Sequence, residues 1–305
     1  MRRILFTILC FFTLAVVSQP VLRGNSVLIK PGFKNGDIKT YLVSVETRNG
    51  EVMNATKSNS QFKINFTVLD TVNGFTLSYK VETINTTNKN STLASVVAKI
   101  SNNLNFLYKI NKNGIVTDLI NIRELQKKLI RSLDSLEKTE IFNKQDQTLN
   151  SHLRAKLESP EGVEVCLTPL MLFNNIFNQP EFRNQKEFIH AYKFNILGRP
   201  LIPGTLINEL DKINTNENYA KVAMNFKGNR DSAAQYNAQL FQQIYTDLKG
   251  KPYKSANLPS EKRDDFDREY EVMLLDGWPR KIYHKGIEFY FEKITTKIII
   301  TLVDN

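Results

Sequence analysis

Cysteine is nearly absent from this sequence of 305 residues. Only Cys10 and Cys166 are present, and Cys10 lies within an apolar run at the N-terminus. The chain beyond that run holds a single cysteine, so an internal disulfide is excluded and the fold must rely on its core. Because the apolar residues Val165 and Leu167 flank it, we interpret Cys166 as a buried small apolar residue rather than a reactive thiol.

The only long hydrophobic run is the one at the N-terminus. It covers residues 4–17, follows two arginines, and ends before Ser18 and Gln19. A short basic segment, an apolar stretch and small residues before a cleavage position are typical of a signal peptide. We therefore expect residues 1–18 to be removed by cleavage between Ser18 and Gln19. An uncleaved membrane anchor is the alternative interpretation.

Beyond residue 18 no run approaches the roughly 20 apolar residues of a membrane-spanning helix. A lipoprotein signal places its cysteine after a small residue at the end of the run. Cys10 instead follows Leu9 inside the run, so no lipid anchor is expected. We predict that residues 19–305 form a single exported domain, located in the periplasm or at the cell surface. Because 41% of the residues are hydrophobic, the chain can build a core.

Motifs of nucleotide-binding and common hydrolytic sites are also missing. There is no Gly-rich phosphate loop, no Gly-x-Ser-x-Gly elbow, no histidine pair at zinc-helix spacing and no EF-hand loop. The three scattered histidines do not predict a metal site, and no cofactor is expected. We interpret His152 and His284 as solvated, and His190 as a hydrogen-bonded core residue. Asn54 and Asn85 begin Asn-x-Thr sequons, a short pattern that often arises by chance.

The net charge of +10 does not predict nucleic-acid binding, because lysines and arginines are spread among acids and no recognition motif is present. The densest carboxylate cluster, in EKRDDFDREYE, contains Asp264, Asp265 and Asp267. Paired carboxylates can perform acid–base catalysis or bind a hard cation. Basic residues such as Lys262 are interleaved, so we prefer a solvated loop with local ion pairs. A hydrolase would need these acids in a cleft next to His284.

Alternation of apolar and polar residues predicts antiparallel strands in the first half of the chain. QFKINFTVLD and FTLSYKVETI both alternate, and Asn73-Gly74 separates them. Asn113-Gly114 marks a second hairpin. Residues 28–120 are therefore predicted to be rich in β-strands, with one face of each strand buried.

The hydrophobic period changes at Asn121, which we predict to be a helix N-cap, because leucines then recur at helical spacing. We predict a helical insert over residues 121–180. Residues 185–305 are predicted to be β with one helix after Asp231, and EFIHAYKF fits either a strand or a helix. This order predicts an α+β fold with a curved antiparallel sheet region or regions, a central helical insert and one further helix in the C-terminal half.

YEVMLLDGWPRKIYHKG, residues 270–286, contains the only tryptophan. A hairpin with its turn at Asp276-Gly277 and with Trp278 packed against the core is preferred over a ligand site formed by Trp278 and His284. This stretch and TTKIIITL are similar to the closing strands of uncharacterised secreted proteins of Bacteroidota, with Gly277-Trp278-Pro279 as the distinctive motif. NFLYKINKNGIVTDLINIREL and YKFNILGRPLIPGTLINEL resemble other segments of the same group. The resemblance implies export to the periplasm or cell surface and supplies no catalytic residues.

Three functional hypotheses follow from the sequence. The first is a noncatalytic protein of the cell envelope that binds a hydrophobic ligand, such as a lipid, or a protein partner in a groove between sheet and helices. The second is an exported hydrolase that uses the carboxylates of Asp264, Asp265 or Asp267. The third is a structural or interaction module of an envelope complex.

Overall fold

The computed structural model describes residues 20–49, 56–87, 93–139, 144–159, 163, 168–194, 202–229, 265–289 and 293–303. The strands are β1 (Val21–Arg23), β2 (Ser26–Leu28), β3 (Ile38–Asn49), β4 (Thr56–Asp70), β5 (Phe75–Thr87), β6 (Asn105–Ile110), β7 (Val116–Leu119), β8 (Phe182–Arg183), β9 (Glu187–Phe194), β10 (Ile202–Asn214), β11 (Tyr219–Gly228), β12 (Asp265–Met273), β13 (Pro279–Phe289) and β14 (Lys293–Val303). The helices are α1 (Leu93–Ile100), α2 (Ile122–Thr139), α3 (Lys144–Leu157) and α4 (Thr168–Asn175).

Eleven of the strands form one sheet in the order β7-β6-β5-β4-β3-β14-β13-β12-β11-β10-β9. All neighbouring strands are antiparallel, as predicted. The last strand, β14, pairs with β3 and so joins the two predicted β regions, 28–120 and 185–305, into a single sheet. β1, β2 and β8 form a separate small sheet. The fold is mostly β, so the predicted α+β class describes it only approximately.

The two faces of the large sheet differ in polarity because side chains alternate along each strand. We call the face toward the helices the inner face. It carries buried side chains that include Tyr41, Ile64, Tyr79, Phe106, Val222, Tyr270 and Ile282. The opposite, outer face carries exposed side chains that include Lys63, Lys80, Asp267, Glu269, Lys281 and Lys285.

The helical insert forms near the predicted position, and α2 buries Leu125, Leu129 and Leu133 at a spacing of four residues. Asn121 directly precedes α2, but its side chain bonds to β6. Its Oδ1 accepts from the backbone N–H of Leu107 at 2.9 Å, and its Nδ2 donates to the carbonyl of residue 105 at 2.8 Å. The amide of Asn121 thus continues the strand pairing of β6 instead of capping the helix. Helix α1 was not predicted, since its eight residues give a short pattern.

Helix α4 packs on the centre of the inner face through aromatic side chains. The ring of Phe173 stacks on Phe66 of β4 at a centroid distance of 4.5 Å and meets Tyr41 of β3 edge-on at 5.7 Å. From β12, the hydroxyl of Tyr270 donates to the Leu172 carbonyl at 3.0 Å. These contacts place α4 across both halves of the sheet, so the β regions share one core.

The β12–β13 hairpin confirms the interpretation of the tryptophan stretch. Gly277 lies in the turn with φ of +74°, where a residue without a Cβ is favoured. Trp278 is fully buried, and its ring stacks on Phe33 at a centroid distance of 4.0 Å. The segment with an ambiguous pattern, Glu187–Phe194, is a strand. Among the described residues, no helix combines the length and apolar character needed to cross a membrane.

Several sequence predictions fall outside the described residues. They are the signal peptide with Ser18 and Gln19, the helix after Asp231, Cys166 and Asp264. These remain predictions.

Candidate functional site

An arginine and a histidine face each other on the inner face of the β12–β13 hairpin. The hairpin register places Arg268 opposite His284 and Phe266 opposite Gly286. Because residues two apart on a strand share a face, all four positions lie on the inner face together with the buried Tyr270 and Ile282. A polar pair therefore lies within an apolar surface.

The geometry of this pair determines the tautomer of the histidine. Arg268 Nε donates a hydrogen bond to His284 Nδ1 at 3.1 Å, and only 3% of Arg268 and 9% of His284 are exposed. An arginine remains protonated in proteins, so Nδ1 must be the acceptor. A neutral imidazole with an unprotonated Nδ1 carries its hydrogen on Nε2. His284 therefore presents an N–H donor at Nε2.

Charge and burial keep this histidine neutral. Burial, followed by the positive charge of Arg268, lowers the pKa of His284 well below its ordinary value. The Arg268 guanidinium also lies over the Phe266 ring, with Cζ 4.0 Å from the centroid, a cation–π arrangement that favours the charge within an apolar environment. The pair thus consists of a fixed cation and a neutral imidazole.

Gly286 keeps the sheet surface beside the imidazole free of side-chain atoms. A Cβ at position 286 would lie 3.0 Å from His284 Nε2 and 3.5 Å from Cε1, with no other atom of the described chain within 4 Å. The imidazole of His284 therefore packs over Gly286, where a side chain would crowd Nε2.

Apolar side chains surround the pair on the neighbouring strands. Phe226 of β11 stacks on Phe266 at a centroid distance of 5.3 Å. Met224 lies opposite Arg268, and Ile298 of β14 lies opposite His284. All of these side chains are buried. The polar pair is therefore enclosed by apolar side chains of β11, β12 and β14.

A second polar position occurs on β10 of the same face. Asn208 is 1% exposed, and its Nδ2 donates to Gln179 Oε1 at 3.4 Å, a long hydrogen bond. Its Oδ1 is buried without a hydrogen-bond partner among the described residues. An unpaired buried carbonyl of this kind costs about 1–3 kcal/mol.

A third polar position lies under α4, where an asparagine meets tyrosine hydroxyl groups. Both amide atoms of Asn174 and the hydroxyl of Tyr108 are buried and make no hydrogen bond within the described chain. Burial and then the neighbouring Tyr79 raise the pKa of Tyr108, and the adjacent Asn174 amide partly opposes the rise. Tyr41 differs, because its hydroxyl donates to the Pro279 carbonyl at 2.9 Å.

Two of the predicted acids, Asp265 and Asp267, do not join this site. Asp265 and Asp267 alternate with Phe266 and Arg268, so their side chains lie on the outer face, whereas His284 lies on the inner face. Asp265 accepts a hydrogen bond from the Gly228 N–H at 3.3 Å, and Asp267 is exposed. The sheet separates these two carboxylates from the histidine, so the described structure contains no cleft that holds them together.

Two histidine interpretations were wrong. His284 is buried rather than solvated, because β13 continues to Phe289 and places position 284 in the middle of a strand. His190 is exposed on the outer face of β9, stacked against Phe188 at 6.5 Å, rather than in the core. A signal in the sequence identifies the inner position of His284. Along β13, Ile282, His284 and Gly286 alternate with the charged Lys281 and Lys285. The side chain of His152 lies outside the described set.

Comparisons with known proteins give a structural likeness at low sequence identity. No family model and no curated protein matches the sequence. The solved structure described as "Lipid-protein interactions in lipovitellin" is similar, with a TM-score of 0.43 and 9% identity over 89% of this chain and 25% of that chain. The chain thus matches about a quarter of the length of that structure. No group of three or more potential metal ligands occurs among the described residues.

Proposed function

We propose that this chain is a noncatalytic protein that binds an apolar ligand between the inner face of its sheet and the covering segments. The observation that supports the proposal is the presence of buried polar atoms without a hydrogen-bond partner in the described chain, such as Asn208 Oδ1 and both amide atoms of Asn174, within an apolar core. A ligand that pairs with such atoms would offset their desolvation and would stabilise the folded chain on binding.

The state of His284 supports binding rather than catalysis at this position. A general base needs an accessible lone pair and a pKa near the working pH. The Nδ1 lone pair of His284 accepts from Arg268, and burial lowers the pKa of the imidazole. The remaining function of this side chain is to donate a hydrogen bond from Nε2.

The proposal includes export. Residues 1–18 have the pattern of a signal peptide, and the Gly277-Trp278-Pro279 stretch resembles secreted proteins of Bacteroidota. We propose that the protein acts in the periplasm or at the cell surface, where lipids and their fragments are available as ligands. A curved sheet whose concave side is the inner face would provide the groove.

Native mass spectrometry of protein purified from its own host tests this function. We expect a bound species that organic extraction removes. The extracted protein should then bind diphenylhexatriene, a fluorescent hydrocarbon, and its melting temperature should rise on binding. A protein that retains nothing in its host and leaves diphenylhexatriene fluorescence unchanged would overturn the proposal.

A structural or interaction module is the second candidate, and the ends of the sheet favour it. The described strands β7 and β9 lie at these ends, and their Val116 and Phe188 are 45% and 55% exposed. Edge strands with exposed apolar side chains can pair with another chain. Cross-linking in intact host cells should then give a defined adduct that Phe188→Lys removes, and the absence of any adduct counts against this candidate.

A further inference from the structure

One end of the large sheet presents apolar side chains to solvent at neighbouring turns. Because adjacent strands are antiparallel, several connecting segments meet at this end. We call four of them the end turns, which are residues 34–38, 69–74, 111–115 and 274–278. Each has at least one exposed apolar residue, and these are Ile38, Leu69, Val72, Ile115 and Leu275. Exposed apolar residues that are scattered singly are ordinary, but residues collected at one end of a sheet indicate a contact surface.

Hydrogen bonds hold the end turns in place. The Gly36 N–H donates to the carbonyl of Val68 on β4 at 2.9 Å. The carbonyl of Asp276 accepts from the Gly32 N–H, also at 2.9 Å, and this bond joins the β12–β13 turn to the segment before β3. The exposed apolar side chains are therefore presented on a fixed backbone. Their contact with water is unfavourable, and a partner that removes them from water would gain free energy.

The charges of the end turns favour an anionic partner. Asp37, Asp70 and Asp276 are the acids of these turns, and each accepts a hydrogen bond from a backbone N–H of its own turn. The lysines of the same turns, Lys34 and Lys112, are exposed. The carboxylates are thus used within the protein, whereas the ammonium groups are available at the surface. Lysines beside exposed apolar residues are complementary to the anionic surface of a membrane.

The spacing of the apolar residues fits a lipid surface better than a protein partner. The end turns extend from β6 to β12, across seven neighbouring strands or about 30 Å at the usual strand separation. Polar residues such as Asn73 and Asn113 lie between the apolar ones. A protein interface has a contiguous apolar core, which separate side chains do not provide. A bilayer is fluid and accepts separate apolar side chains while the polar atoms of the turns stay among the headgroups.

We propose that the end turns dock on the surface of a lipid bilayer, where Val72 and Leu275 insert into the interface and Lys34 and Lys112 contact anionic headgroups. This inference goes beyond the proposed function, because it concerns a membrane surface and not a ligand held over the inner face of the sheet. Docking does not require a bound ligand.

Vesicle flotation tests the docking. Protein purified from its host is mixed with vesicles of phosphatidylcholine alone, or of phosphatidylcholine and phosphatidylglycerol in equal parts. Each lysine near an anionic surface raises the affinity about fivefold, so the mixed vesicles should bind at least about tenfold more tightly. The variant Lys34→Gln/Lys112→Gln should lose most of this preference. The absence of binding to both compositions would overturn the inference.

A second variant tests the apolar contacts without a change of charge. Val72→Asn/Leu275→Gln should weaken binding to the mixed vesicles at least about tenfold, because two apolar side chains no longer leave water. Phe188→Gln is the matched control, since Phe188 is an exposed apolar residue outside the end turns, and it should bind as the wild type does. The melting temperatures should all be similar, because the replaced side chains are exposed. Unchanged binding of the double variant would contradict the role of the end turns.

Tryptophan fluorescence locates the surface that meets the lipid. In Val72→Trp, the emission should shift to shorter wavelength on addition of mixed vesicles and should be quenched by brominated lipid. Phe188→Trp should show neither change, and the buried Trp278 gives the same background in both variants. If Val72→Trp floats with the vesicles but its emission does not shift, another surface binds the lipid and the inference is wrong.

Two other occupants of the end turns would give different results. If light scattering without vesicles shows a dimer that Val72→Asn/Leu275→Gln dissociates, the end turns contact a second copy of the chain. If cross-linking in host cells gives a protein adduct that the same variant removes, and vesicles do not bind, the partner is another protein. Either result overturns the inference. Vesicle binding by a protein that retains no ligand and binds no diphenylhexatriene would instead contradict only the proposed function.

Discussion

Trp278 stacks on Phe33 with their ring centroids 4.0 Å apart, and this contact joins the β12–β13 turn to the segment that precedes β3. The backbone supports it, because the Gly32 N–H donates to the Asp276 carbonyl at 2.9 Å. The indole Nε1 also donates to Asp37 Oδ2 at 3.4 Å. The tryptophan is therefore a core residue that connects distant parts of the chain.

Replacing this tryptophan should mainly destabilise the protein. Trp278→Ala removes a fully buried ring, and we expect the free energy of unfolding to fall by about 3–5 kcal/mol in urea titrations. Leu275→Ala in the same turn is the matched control, since Leu275 is 67% exposed and should change the value by less than about 0.5 kcal/mol. Unchanged stability with lost ligand binding in Trp278→Ala would instead make the tryptophan part of a site.

The buried histidine should make stability depend on pH. The pKa of His284 lies well below 6.5 in the folded protein, so below pH 6.5 the unfolded chain binds a proton that the folded chain does not. The free energy of unfolding therefore falls as the pH is lowered from 6.5. By pH 5.5 the neutral His284 should lower this free energy by about 1 kcal/mol relative to its value at pH 6.5. The measurement is a series of urea titrations from pH 7.5 to 5.5.

His284→Gln should remove this contribution, because the glutamine carbonyl can still accept from Arg268 but does not titrate. The free energies of unfolding of the wild type and of His284→Gln should therefore become more similar as the pH falls. A His284→Gln protein with the full wild-type dependence would show that another group titrates instead.

Asp267 on the outer face should be dispensable for stability and for ligand binding. Asp267 is exposed opposite Lys285, and such surface pairs contribute little, so Asp267→Asn should change the free energy of unfolding by less than about 0.5 kcal/mol. Binding of diphenylhexatriene should also be unchanged. If the wild type hydrolyses cell-envelope material and Asp267→Asn loses that activity without unfolding, the hydrolase hypothesis is restored.

Removing the buried polar atoms of Tyr108 and Asn174 under α4 should stabilise the protein. Tyr108 Oη and both amide atoms of Asn174 are buried without hydrogen bonds in the described chain, so the double variant Tyr108→Phe/Asn174→Leu should raise the free energy of unfolding by about 1 kcal/mol or more. Tyr41→Phe provides the contrast, because it loses a hydrogen bond to Pro279 and should lower the value by about 1 kcal/mol. Destabilisation by the double variant would indicate that a bound water or ligand pairs these atoms.

Much of the local structure was predictable from the sequence. Asn73-Gly74, Asn113-Gly114 and Asp276-Gly277 mark turns because glycine accepts the positive φ that each turn requires, and all three connect neighbouring strands. The leucines of α2 were identified by their helical period. These signals involve residues a few positions apart, so no tertiary contact is needed to interpret them.

The candidate site was only partly predictable. The strand alternation puts Arg268 on the side of Phe266 and His284 on the side of Ile282, and these apolar neighbours mark the buried face. Alternation alone does not show that the two polar side chains bond to each other. A short helix such as α1 gives a weak periodic signal, and its formation depends on packing. The role of Asn121 as a partner of β6 was missed because its bonded residues lie 14 and 16 positions away.

The sequence by itself determined most strands of the first half of the chain and the turns, including the turn at Asp276-Gly277, because these signals come from residues a few positions apart. Only the tertiary structure decided that β14 pairs with β3, which makes one sheet of the two β regions. It also decided that α4 packs on the face that carries the tyrosines and phenylalanines. The physical reason is that burial of an apolar face depends on contacts between residues distant in sequence, and local patterns do not encode those contacts.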